Sequence, residues 1–104
     1  MRRHPRRDRL TTTIERDWLA DIIAGRKRVE LRAIKPYWTE RFARVGRPFE
    51  LRMINGMRRG APEATVLIAR VTRSRTAREY RLHIARVLAV RHWDRRRERP
   101  SGRR

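Results

Sequence analysis

Residues 22–32 read Ile22-Ile23-Ala24-Gly25-Arg26-Lys27-Arg28-Val29-Glu30-Leu31-Arg32, and Lys35-Pro36-Tyr37-Trp38 follows closely. Three structural signals overlap there. The two isoleucines close an apolar stripe begun by Trp18 and Leu19, with Arg16, Asp17 and Asp21 off it, so a helix is expected over residues 15–24 and Trp18 is expected in the core. Thr12 with Glu15 reads as a capping box at its start. Gly25 stands where the helix should end, because a left-handed backbone carries no Cβ penalty at glycine. From Lys27 the pattern changes to period two: Val29 and Leu31 face one way, Arg28, Glu30 and Arg32 the other, as in a strand with one polar face.

Working outward, Pro36 suits the first turn of a second short helix carrying Tyr37, Trp38, Arg41 and Phe42, ended by Gly46 and Pro48. Phe49, Leu51 and Met53 alternate with Glu50 and Arg52 in a strand closed by the turn signal Asn55-Gly56. Residues 57–63 read as a loop. The run from Ala64 to Thr72 is apolar almost throughout, as in a strand buried on both faces. Residues 73–78 connect it to a long strand over 79–90, in which Tyr80, Leu82, Ile84 and Leu88 share one parity. Val87 and Ala89 load the other, as a bulge or barrel closure requires. His92 and Trp93 fit the rim of such a sheet. The fold class is α+β: a curved, mixed sheet with short helices.

The chain has 104 residues, enough for one small domain near the lower limit of self-sufficient cores. Its hydrophobic fraction, 38%, is below the ~45–50% usual for globular chains, but the apolar residues gather in periodic segments. A domain over residues 10–94 is expected between two basic disordered tails, 1–9 and 95–104. The formal net charge is +19, of which the tails contribute +4 and +5. Arginines number 28 against the two lysines Lys27 and Lys35, a bias that coding composition can feed without altering the charge itself. Such an excess favours polyanionic partners through counterion release and long-range attraction.

The chain has no cysteine, so disulfides and thiolate metal sites are excluded, and His4, His83 and His92 have no ligand spacing. Neither metal nor cofactor is expected. No apolar segment approaches the ~20 residues needed to cross a bilayer, which argues for a cytoplasmic protein without membrane attachment.

Chemistry concentrates on few positions. Lys27 offers a mobile cation and Arg32 a planar fork that can hold phosphate at two points. Glu30, on the same strand face as Arg32, either orients that arginine or, if desolvated, acts as a general base. The bland alternative is an exposed face with ordinary salt bridges. Tyr37, beside these cations, is a stacking platform for an RNA base, whereas Trp38 reads mainly as core. Arg58 and Arg59, in the Asn55–Gly60 turn, bring two guanidinium groups toward a phosphate or simply face solvent. Tyr80 and His83 have opposite parity, and no serine or threonine has an evident histidine partner for nucleophilic catalysis.

The run "IIAGRKRVELR" with the following "KPYW" resembles the signature of the ASCH domain family, a branch of the PUA-like superfamily. The segments "PFELRMING", "ATVLIARV" and "YRLHIARVL" resemble its strand order, so the likeness covers residues 11–93. The resemblance implies a small β-barrel flanked by helices, with Lys27 and the polar residues after it facing a ligand cleft. It further implies RNA binding, with RNA or a nucleotide as partner; together with the chemistry above, the expected ligand-binding residues are Lys27, Arg32, Tyr37, Arg58 and Arg59. A second implied activity is metal-independent ribonuclease chemistry, with Lys27 and Glu30 catalytic. Amide hydrolysis on acylated cytidine, known in the family, uses a threonine where this chain has Glu30, and a carboxylate does not simply replace a hydroxyl nucleophile. A basic accessory role in a ribonucleoprotein, carried by the tails, is the third reading.

Overall fold

The computed structural model describes residues 7–101. In chain order the elements are β1 (Arg9–Thr13), α1 (Arg16–Ala24), β2 (Val29–Ala33), α2 (Pro36–Arg44), β3 (Phe49–Ile54), β4 (Glu63–Ser74), β5 (Glu79–Arg91), β6 (Trp93–Asp94) and β7 (Arg99–Pro100). Five strands form one mixed sheet in the order β1-β3-β4-β5-β2, parallel between β1 and β3 and antiparallel elsewhere. The sheet curls into a half-barrel over an apolar core, flanked by the two helices.

The curl has a local cause. Along the β4–β5 ladder the register shifts three times: Val66 pairs with Val87 and Ile68 with Ile84, while Arg70 already pairs with His83. Each unpaired residue bends the strand and tightens its twist. The inward series of β5 is therefore Tyr80, Leu82, Ile84, Val87 and Val90, all packed on or against the core, and Leu88 drops out of it. The expected bulge thus exists, but it moves the apolar set by three residues twice. β4 is buried on both faces from Glu63 to Val66 only; from Ala69 onward its outer side is exposed.

Helix α1 buries Leu19, Ile22 and Ile23, the i, i+3, i+4 set of one face. Trp18, about 100° round from Leu19, falls beside that face and is 42% exposed, which corrects its assignment to the core. Gly25, at φ +84°, ends the helix as expected, with the Gly25 and Arg26 amides donating to the Ile22 and Asp21 carbonyls. The capping box is absent: Thr12 is drawn into β1 opposite Met53, and Glu15 is itself the N-cap with no side-chain bond. The Trp38 and Phe42 rings of α2 and the Tyr80 ring of β5 pack in series at 5.3 and 4.9 Å between centroids.

Strand β2 is turned the opposite way from a solvated polar face. Glu30 pairs with Leu82 and Arg32 with Tyr80, both inward positions, so Val29 and Leu31 lie on the partly exposed outer side. Period two is correct, but the polar parity is the inner one.

The expected tail boundaries also move. Arg9 is in β1, Asp8 accepts from the Gly46 amide at 2.9 Å, and the β6–β7 pair occupies residues 93–100. Arg26 ties this hairpin to α1 through Glu98 and Asp21. The other tail residues, 1–6 and 102–104, lie outside the described residues. No helix among the described residues is long and apolar enough to cross a membrane.

The facing of β2 has a measurable signature. Truncating Leu82, fully buried, should cost about 3 kcal/mol in urea unfolding, whereas Leu31→Ala should cost about 1 kcal/mol or less. Equal losses would place Leu31 in the core and reverse the strand.

Candidate functional site

Strands β1 and β2 are the two edges of the half-barrel, and the seam between them is bridged by a side chain instead of a backbone ladder. Arg32 Nη2 donates to the Thr13 carbonyl at 3.0 Å and lies 2.9 Å from Glu30 Oε2. The second contact is an ion pair without hydrogen-bond alignment: neither Glu30 oxygen, nor Arg32 Nε, has a hydrogen-bond partner among the described residues. Glu30 is fully buried. Burial pushes its carboxyl above the ordinary value of 4.5, against the downward pull of the Arg32 and Lys27 charges and the Leu31 amide.

The Arg32 guanidinium also stands 5.5 Å from the Trp38 ring, and the half-buried Lys27 places its Nζ 5.1 Å from the Trp18 ring. These cation–π contacts give the exposed Trp18 and the aromatic flank of α2 a part in holding the two charges. Lys27, Glu30 and Arg32 therefore gather at the seam. Arg32 lines a surface concavity of about 380 Å³ shared with Thr13, Trp18 and Asn55. Glu30 lies behind it.

Tyr37, Arg58 and Arg59 meet in a larger groove of about 770 Å³. Thr13 lines both hollows, which makes them neighbours at the end of β1. The Tyr37 ring is half-exposed, with the Arg41 guanidinium 3.5 Å from its centroid. Arg58 and Arg59 make no salt bridge among the described residues. In the wall of the groove Arg52 does: it donates twice to Glu63, at 2.8 Å each, and holds that carboxyl below the ordinary range.

Asn55 and Thr13 were not among the expected site residues. Asn55 Nδ2 donates to the Ile14 carbonyl at 2.9 Å, joining the β3 exit to the β1 exit, and its own amide donates to the Pro62 carbonyl. The Asn55-Gly56 signal marks a turn in the sequence, but a bond to a residue 41 positions away leaves no local trace. His83 lies on the outer face of β5, where its Nε2 and the Thr72 hydroxyl are 2.8 Å apart, away from the seam. Burial, followed by the Arg70 and Arg81 charges, lowers its pKa. No cluster of metal-ligating side chains occurs among the described residues.

The ion pair yields two measurements. Arg32→Ala leaves a buried carboxylate uncompensated and should cost about 3 kcal/mol; adding Glu30→Gln should recover most of it, a coupling well above the ~0.5 kcal/mol scatter of independent sites. Because folded Glu30 keeps its proton to higher pH than the unfolded chain, the folded state binds more protons from about pH 4.5 up to the raised value. Stability falls as pH rises through that window. The stability of Glu30→Gln relative to wild type should accordingly rise as pH increases above about 4.5 in paired urea titrations; a constant difference would mean an unshifted carboxyl.

The chain has no significant match among protein-family models, curated proteins or solved structures.

Proposed function

We propose that this protein is an RNA-binding module of the ASCH type that takes single-stranded RNA, or a nucleotide, in the groove beside the β1–β2 seam. The observation that carries the reading is the meeting of a half-exposed Tyr37 with Arg58 and Arg59, which have no salt bridge among the described residues, in one hollow next to Arg32. A base stacks on the tyrosine while the guanidinium groups take the flanking phosphates, a division of labour that single strands permit because their bases are free. The high positive charge supplies sequence-independent attraction. Burial of Glu30 suits a structural part in this scheme: it fixes Arg32 at the seam and does not itself touch ligand.

The raised carboxyl of Glu30 between two cations favours a second reading, metal-independent cleavage of RNA with Glu30 as base. Its complete burial weighs against that, since a 2′-hydroxyl would reach it only after Arg32 left the seam.

Fluorescence anisotropy with labelled single-stranded RNA in EDTA, with product length followed alongside, separates the two. Tyr37→Ala should lose about 1–3 kcal/mol of binding without changing the salt dependence. Removing Arg58 and Arg59 together should make the slope of log K against log salt shallower by about 1.4, two phosphates at ~0.7 each. Variants that bind like wild type would sink the groove. RNA-selective shortening abolished by Glu30→Gln would transfer the assignment to the enzyme.

A further inference from the structure

The β4–β5 hairpin carries a second hollow at its far end. It measures about 700 Å³ and is lined by Ile34, Arg73, Ser74, Arg75 and Arg78, with no carboxylate in its wall. None of the three arginines makes a salt bridge among the described residues, whereas Arg26, Arg32 and Arg52 are each neutralised by a carboxylate. The tip is also held in place. The Ile34 amide donates to the Arg78 carbonyl at 3.2 Å, the Ala77 amide donates to Ser74 Oγ at 3.2 Å, and the Arg73 guanidinium stands 5.8 Å from the Tyr80 ring. Three like charges brought into one hollow repel one another, and an anion with several oxygens relieves that repulsion. Guanidinium forks match phosphate oxygens in particular.

We infer that this hollow is a second phosphate-binding site, and that it takes the backbone of the same RNA strand whose base occupies the groove at the other end of β4. The RNA part rests on the function proposed above; the phosphate site does not. Glu63 lines the groove and Ser74 the tip, and the strand between them at ~3.4 Å per residue spans roughly 35 Å. A stacked single strand at ~3.4 Å per nucleotide covers that distance in about ten nucleotides. Occupying both ends then raises affinity through effective concentration, without a new base contact.

The test compares RNAs of about four and about sixteen nucleotides, the range of single-strand site sizes. The tip variant is Arg75→Ala with Arg78→Asn, asparagine being chosen because Arg78 has φ +54° and asparagine tolerates that region. The control, Arg95→Ala with Arg97→Ala, removes the same charge from the β6–β7 turn. For the longer RNA the tip variant should lose about tenfold in affinity and about 1.4 in salt slope, with the shorter RNA unaffected and the control near wild type. Equal losses in the control, or equal losses for both RNA lengths, overturn the inference. If the groove proves not to bind RNA at all, titration with inorganic phosphate decides the tip alone. Amide shifts centred on residues 74–78 that vanish in the tip variant sustain a phosphate site; shifts that are absent or unchanged there reject it.

Discussion

The half-barrel depends on a charge placed where a hydrophobic residue would be expected. Glu30 is inside, ion-paired with Arg32, and Arg32 in turn spans the gap between the two edge strands to reach the Thr13 carbonyl. Burying this pair costs desolvation that the mutual attraction repays only in part, so its value lies less in stability than in register. A slip of β2 by one residue would bring Val29 and Leu31 inside and leave Arg32 pointing away from β1. The pair thus fixes which face of β2 is inner, and that choice puts a guanidinium at the mouth of the smaller hollow.

Around this seam the aromatic side chains act as spacers between cations and core. Trp38 lies between Arg32 and Phe42, and Phe42 meets both Phe49 and Tyr80. Trp18 and Tyr37 stay largely exposed, each with a cation over its ring. The same residue types therefore do two jobs, some burying area against the core and others presenting flat, charge-flanked rings at the surface. The Arg52–Glu63 fork stiffens the wall of the larger groove in a comparable way, by satisfying a carboxylate at the base of β4.

Much of the architecture was legible from period and punctuation. The helix ending at Gly25, the proline-led helix at 36 and the strands β2 to β5 follow from signals within a few residues of each other, whereas β1, β6 and β7 carry none. What sequence could not supply was anything set by a distant partner. Thr12 pairs with Met53, so the capping box gives way to a parallel edge strand. Trp18 is excluded from the core by one helical step. The polar parity of β2 resembles a solvated face, and only its pairing with Leu82 and Tyr80 turns it inward. The convergence of Tyr37, Arg58 and Arg59 depends on chain segments about twenty residues apart being folded onto one rim. Their side chains were recognisable as candidates, but their neighbourhood was not.

The placement of β2 also orders events in time. Its backbone partner is β5, with Val29 opposite His83, so half the chain must be synthesised between the two. At ~5–20 residues per second, β2 waits roughly three to ten seconds after leaving the ribosome before its ladder can form. The β4–β5 hairpin needs no such delay, since its turn is local and its contacts the least costly to close. A nascent chain therefore carries β2 as an unpaired edge with a carboxylate, Glu30, on the face that will turn inward. That charge, awkward in the finished core, discourages the waiting strand from pairing with a neighbouring chain.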